Sequence, residues 1–298
     1  MKNFVLIGAC GYIAPKHFEA IRNTKNNLIA ACDVTQNAGV IDKFFPECKF
    51  FFRLKEFEKF IKNFQKKKNK IDYLVICTPN YLHNKFILFG LRNKINVICE
   101  KPLILKTKQL NKIYAYQSRY KKKVFCIMQL RLNKNIIKFR KKIINKIKKN
   151  PSIQINCKII YVTFRGDWFL KSWKGNINKS GGLTTNIGIH LFDLLSWLFG
   201  DFIKIKVKIN NLKTNIGKIQ FKNANVNWII SISDKYLNKR RKNIKSIRKL
   251  NFDNINLNLS QNFTNMHVVS YKKILEGKGF TVDDVRKSLF IAEKLRKL

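Results

Sequence analysis

Short apolar runs and segments of helical periodicity alternate along the first 125 residues. Residues 2–7 form an apolar run of strand length and residues 8–14 a glycine-containing turn, while residues 15–23 space apolar side chains helically behind a proline. The alternation continues with strands predicted at 27–32, 49–52, 72–78, 96–99 and 124–128, and helices at 40–45, 54–65, 81–93 and 106–120. Runs that are apolar throughout belong to strands buried on both faces, and alternation of strand and helix specifies parallel pairing with right-handed crossovers. Residues 1–125 are therefore expected to form a doubly wound α/β domain.

Beyond residue 125 the pattern changes. A basic helix is predicted at 135–149, a long strand at 153–165, a loop with two tryptophans, and a helix at 185–199. Strands follow at 202–212, 215–222, 225–233 and 245–251, then helices at 265–276 and 282–297. Strands in series without crossover helices predict an α+β domain, residues 126–298, built on an open, mainly antiparallel sheet.

Composition narrows the function classes. The formal charge is +44, from 61 Lys and Arg against 17 Asp and Glu, which raises polyanion binding as a function. The basic residues are spread along the whole chain, with local runs at 66–70, 121–123, 140–149 and 239–249. They accompany abundant Asn, Ile and Phe, the signature of AT-rich codons. Solvated helix faces, with no specific nucleic acid, are the expectation. The longest apolar stretch, 183–200, is interrupted by Asn186, His190 and Asp193, so no membrane span is expected. Seven cysteines without a C-x-x-C pair, mostly within strand-like runs, read as reduced core thiols in a cytoplasmic protein. Four scattered histidines offer no evident metal-ligand set.

Three stretches carry chemistry. The turn Gly8-Ala-Cys-Gly11-Tyr12-Ile13-Ala14, between a strand and a helix, lets backbone N–H groups approach a pyrophosphate. Asp33, closing the second strand, is placed to accept hydrogen bonds from an adenosine ribose and to repel a 2′-phosphate, which selects NAD over NADP. The turn departs from G-x-G-x-x-G spacing: the first glycine lies one residue early, with Ala9 in its usual place. The second stretch, Asn96-Val-Ile-Cys-Glu100-Lys101-Pro102, is an apolar strand stopped by an acid, a lysine and a proline. It delivers Lys101 to the carboxyl edge of the sheet, where ligands sit in α/β folds. Thr78, Pro79 and Asn80 end the neighbouring strand and are expected to line the nicotinamide side. In the third stretch, 165–193, Asn186, His190 and Asp193 fall four and three residues apart, near one face of the predicted helix, behind Gly181-Gly182.

Taken in order, Gly11-x-Ile13-Ala14-x-x-His17, Thr78-Pro79-Asn80-x-x-His83, Glu100-Lys101-Pro102 and Gly188-x-His190-x-x-Asp193 resemble the Gfo/Idh/MocA sugar dehydrogenases. The resemblance runs to the closing segment Tyr271-x-x-Ile-Leu-Glu-Gly277-x-Gly-Phe280. It implies an N-terminal Rossmann domain that binds NAD through Gly8, Gly11, Tyr12, Ile13, Asp33, Thr78, Pro79, Asn80, Glu100 and Lys101. His17 and His83 match the pattern too and read as structural helix-start residues. The loop Trp168-x-x-x-Ser172-Trp173-Lys174-Gly175, with Lys179-Ser180-Gly181-Gly182, is similar to the branch that oxidises UDP-N-acetylglucosaminuronate at C3 for bacterial O-antigen sugar synthesis. Asn186 stands where the family frequently has Asp, so a mechanism needing a carboxylate there does not carry over.

Oxidising a secondary alcohol needs a proton acceptor, a hydride acceptor across the reacting carbon, and a cation or donor for the developing alkoxide. Lys101, His190 and Asn186 supply groups of these kinds, and the sequence leaves open whether Lys101 or His190 takes the proton first. A UDP-uronate brings a diphosphate and a carboxylate, which Arg131, Arg165, Lys174 and Lys179 could neutralise. Ser180 and Gly181 would add hydrogen bonds and Trp173 an apolar face. The resemblance further implies 2-oxoglutarate as an oxidant that recycles NAD, and a homo-oligomer packed through the open sheet. Two other readings compete: a relative that oxidises a free sugar or cyclitol, and a non-catalytic polyanion-binding protein on a dehydrogenase scaffold.

Overall fold

The computed structural model describes residues 1–35, 38–237, 246–252, 255–261 and 265–298. Its elements in order are β1 (Asn3–Ile7), α1 (Ala14–Asn23), β2 (Asn27–Cys32), β3 (Lys49–Phe51), α2 (Leu54–Lys66), β4 (Tyr73–Ile76), α3 (His83–Arg92), β5 (Asn96–Cys99), α4 (Gln109–Tyr120) and β6 (Val124–Cys126). These strands form one sheet in the order β3-β2-β1-β4-β5-β6, with every pair parallel. This is the Rossmann topology, and its order reverses between β1 and β4. The strands read as apolar throughout because helices cover both faces, and Phe4, Val5, Leu6, Leu74 and Val75 are completely buried.

The predicted helix at 40–45 is absent. Residues 39–44 form successive turns, in which Phe44 N–H bonds to the Ile41 carbonyl three residues back. Six residues between Gly39 and Pro46 are too few to nucleate an α-helix against those two breakers.

The second half comprises α5 (Lys134–Lys149), β7 (Ile155–Thr163), α6 (Trp168–Lys171), α7 (Ile177–Ser180), α8 (Gly182–Asn186), α9 (Ile189–Phe199), β8 (Phe202–Asn210), β9 (Thr214–Phe221), β10 (Ala224–Ser231), β11 (Ser246–Phe252) and β12 (Ile255–Asn258). Helices α10 (Met266–Leu275) and α11 (Val282–Lys297) close the chain. The second sheet has the order β12-β11-β7-β10-β9-β8 and is antiparallel except for the β7–β10 pair. Its inner face packs Trp228, Phe221 and Ile159 against Phe192 and Leu195 of α9. Across its other face the register sets Lys206 beside Lys218, Lys218 beside Asn227, Asn227 beside Lys158, and Lys158 beside Asn251. The four-residue strand β12 carries no pattern that marks it in the sequence, and Lys245, the predicted start of the preceding strand, lies outside the described residues.

The helix predicted at 185–199 is in fact two. Both Ile187 and Gly188 N–H groups bond to the Leu183 carbonyl, and the chain restarts as α9. Gly188 is required there, since a Cβ would sit 2.5 Å from the Thr184 carbonyl oxygen and 2.8 Å from Ile230.

The chain divides into two compact units, Met1–Ile127 with Asn265–Val285 and Met128–Thr264 with Arg286–Leu298. Sequence pattern alone places all of 126–298 in the second domain. Helix α10 groups with the first unit because its Tyr271, fully buried, stacks on Phe4 of β1 at 5.8 Å. Val268 and Ile274 join the same core. Among the described residues, no helix is long and apolar enough to cross a membrane.

Candidate active site

In the first unit, the glycine turn lies at the carboxyl end of β1. Gly8 has φ +87°, and a Cβ on it would come within 2.6 Å of the Cys77 backbone, so only glycine lets the turn lie against the end of β4. Asp33 holds this turn from β2: its Oδ2 accepts the Cys10 N–H at 2.8 Å, and its Oδ1 accepts from the Thr35 N–H and hydroxyl at 3.1 and 3.2 Å. A carboxylate has about four lone-pair positions, which leaves acceptor capacity toward a diol. Among the described residues, no acceptor in the chain faces the backbone N–H groups of Tyr12 and Ile13. The Thr78 hydroxyl is buried without a partner. Free donors at the start of α1 and an orphaned hydroxyl at the end of β4 fit a dinucleotide along this edge.

Lys101 follows β5, with a cis bond to Pro102. Glu100, expected to face the cofactor, is turned inward instead and only 5% exposed. Its Oε1 receives Nε2 of both His17 and His267 at 3.0 Å, and its Oε2 accepts the Lys101 N–H at 3.2 Å. Burial pushes the Glu100 carboxyl up, but the hydrogen bonds from His17 and His267 outweigh it and hold the group well below the ordinary carboxylate range. Burial likewise lowers His17. On the other side of the turn, His83 Nδ1 lies 2.7 Å from the Pro102 carbonyl and Nε2 lies 2.9 Å from that of Thr78. Burial holds His83 below its ordinary value, so the neutral ring donates to one of these oxygens at a time. Three of the four histidines thus surround the Glu100-Lys101-Pro102 turn. Scattered in sequence, they gave no sign of this gathering, and His267 was missed outright because a lone histidine on a helix carries no local signal.

In the second unit, Asn186 ends α8 and His190 lies in the first turn of α9, so they do not share one helical face as expected. The His190 ring stacks on Tyr161 of β7, centroids 6.4 Å apart, and the Arg248 guanidinium covers Tyr161 at 4.9 Å. Tyr161 and Arg248 were not among the expected site residues; alternation along β7 could have marked Tyr161 as inward, though not its partner. Asp193 faces elsewhere: it takes Arg131 Nε at 2.8 Å and a second guanidinium nitrogen at 2.6 Å, with both side chains buried. Arg131 is therefore a structural partner of Asp193 rather than the expected substrate cation.

Ser180 is corrected as well. It is fully buried, donating to the Asn176 carbonyl and accepting the Gly182 N–H around Gly181, whose φ is +82°. Lys174 sits 5.1 Å from the ring centroids of both Trp168 and Trp173, and burial, with Arg165 nearby, lowers its pKa. Arg165 is half-buried at the end of β7 and Lys179 is exposed on α7. A concavity of about 510 Å³ in the first unit lies between the Phe44–Lys49 segment and α2, by the amino end of β2 and away from these residues.

Residues 2–128 match the Gfo/Idh/MocA oxidoreductase family, NAD-binding Rossmann fold, and residues 144–247 match its C-terminal alpha/beta domain. The chain is 34% identical to the WlbA (WbpB) dehydrogenase of Thermus thermophilus in complex with NAD and UDP-GlcNAcA, with TM-score 0.95 over 100% of this chain and 95% of that one. The complex of the Thermus thermophilus dehydrogenase with NAD and alpha-ketoglutarate gives 35% identity and TM-score 0.94, covering 100% and 96%. Glucose-6-phosphate 3-dehydrogenase of Bacillus subtilis is 28% identical over 227 residues, 73% of this chain and 61% of that protein. The chain spans 47% to 61% of the curated relatives it matches.

Proposed function

The chain belongs to the Gfo/Idh/MocA oxidoreductase family, and from that premise we propose that it oxidises the C3 hydroxyl of UDP-N-acetylglucosaminuronate with NAD, in the cytoplasm, for O-antigen sugar synthesis. The observation that carries this reading is 34% identity over the whole chain to a dehydrogenase whose own complex holds NAD and UDP-GlcNAcA.

When bound, NAD accepts the hydride from C3. The N–H groups of Tyr12 and Ile13 serve the pyrophosphate, Asp33 the adenosine ribose, and Thr78, Pro79 and Asn80 the nicotinamide side. Either a neutral Lys101 amine or the neutral His190 ring takes the C3 hydroxyl proton, and the other stabilises the alkoxide. Asn186 holds the hydroxyl by hydrogen bonding. Lys174, Lys179 and Arg165 neutralise the uronate and diphosphate. Lys174 does so from between two indole faces, where a partly desolvated ammonium attracts an anion more strongly than on an open surface. We assign 2-oxoglutarate the role of the oxidant that takes the hydride back, and the open face of the second sheet the packing of copies.

Purified protein mixed with NAD and UDP-N-acetylglucosaminuronate should reduce bound NAD once, and turn over repeatedly when 2-oxoglutarate is added. Lys101→Ala and His190→Asn should each slow single-turnover reduction by about 10²- to 10⁴-fold while still binding NAD. Turnover of glucose 6-phosphate or a free cyclitol with none of the nucleotide sugar would overturn the substrate assignment. Near-normal reduction in His190→Asn would leave Lys101 as the base.

A further inference from the structure

We infer that His17, Glu100 and His267, backed by Tyr271, form a positioning network for Lys101, which makes helix α10 a working part of the dehydrogenase. The inference rests on the proposed function only in taking Lys101 to act at the substrate.

The proton inventory carries it. Tyr271 is fully buried and its hydroxyl lies 2.8 Å from His17 Nδ1, its sole partner among the described residues. Burial pushes the Tyr271 pKa well up, so the hydroxyl keeps its proton and donates it to Nδ1. That leaves the His17 proton on Nε2, aimed at Glu100 Oε1 at 3.0 Å. His267 Nε2 meets the same oxygen at 3.0 Å, and the Lys101 N–H meets the other at 3.2 Å. One buried anion is thus held by three N–H donors, from α1, α10 and the residue it precedes. A buried carboxylate stripped of one donor is costly and turns or protonates. Either response releases the Lys101 N–H from its carboxylate acceptor, while His83 holds the neighbouring Pro102 carbonyl.

The ligand atoms of His17, Glu100 and His267 also lie within 4.8 Å of one another, spacing that a metal ion could use. Metal on His17 Nε2 would place the ring proton on Nδ1, and the buried Tyr271 hydroxyl would then have no acceptor for its own proton. Hydrogen bonds satisfy all four groups.

The test compares wild type with His267→Leu, Glu100→Gln and His267→Gln. It measures kcat, KM for NAD, bound metal, and the pH dependence of Lys101 acylation by peptide mass spectrometry, with Lys158 as internal reference. His267→Leu and Glu100→Gln should lower kcat roughly 10- to 100-fold, the cost of a misplaced group. KM for NAD should hold steady, and the Lys101 profile should shift while that of Lys158 stays in place. His267→Gln, which keeps an N–H donor, should recover most of the lost rate. Glu100→Gln is isosteric and reads the network even if His267→Leu does not fold.

Wild-type kcat and Lys101 acylation in His267→Leu or Glu100→Gln would overturn the inference. So would a stoichiometric transition metal that wild type carries and His267→Leu lacks. If the Lys101 profile shifts but wild type does not oxidise the UDP-sugar, the network stands and the substrate assignment falls.

Discussion

A carboxylate removed from water survives as an anion only where donors replace the water, and Glu100 has three. Its pKa and that of His17 are both held below their ordinary values of 4.5 and 6.5. In each case the unfolded chain binds a proton that the folded one resists. Stability is therefore full above pH 6.5, declines as pH falls into the His17 range, and declines again below 4.5 as Glu100 joins. Each excluded proton costs at most about 1.4 kcal/mol per pH unit. Thermal melting should show a falling midpoint between about pH 7 and 5, and His17→Gln should flatten it. A midpoint constant over that range would mean that His17 takes up protons as readily folded as unfolded. Asp33 works at the same scale on ligand choice. Asp33→Ser should cut the preference for NAD over NADP by roughly tenfold or more, since like charges placed together cost several kcal/mol. It should also weaken NAD itself, because the Cys10 N–H loses its acceptor. Equal wild-type affinity for the two cofactors would remove Asp33 from the ribose.

At the scale of elements, the Arg131–Asp193 pair ties the segment after β6 to α9. Breaking a buried pair leaves a charge without its partner, so Arg131→Ala should destabilise the protein by about 3–5 kcal/mol, measured by denaturant unfolding. KM for the UDP-sugar should change little; a large rise in KM at unchanged stability would restore Arg131 to the substrate. No local pattern tells these roles apart, because Asp193 lies 62 residues from Arg131 and only folding pairs them. What the sequence did carry was local. Strands β2 and β5 and helix α11 appear with the bounds that apolar periodicity set, and the glycine turn and Lys101 sit at the ends of the strands that were to deliver them. What it hid was tertiary. The break before α9 exists because Ile230 of β10 presses on Gly188, and Ser180 is consumed by the turn it was expected to offer to substrate.

At the scale of the whole molecule, +44 charges make association a matter of ionic strength. The open sheet face sets Lys206 directly beside Lys218 and reaches Lys158 two strands further on. Copies brought together there repel until salt screens them, so sedimentation should show self-association strengthening as salt rises above about 0.1 M. Binding to DNA should do the reverse and fall steeply; sequence-selective binding that survives such salt, without NAD retention, would favour the polyanion reading. The first unit closes on residues 265–285, after the whole of 128–264 has been made. A ribosome therefore releases the six-stranded parallel sheet long before Tyr271 and His267 exist. The nascent chain waits roughly 7–30 s at ordinary elongation rates, with Phe4 and His17 lacking their cover and Glu100 lacking a donor. Any stop codon ahead of α10 yields a Rossmann sheet with an open seam in its core, a substrate for chaperones and proteases rather than a smaller dehydrogenase.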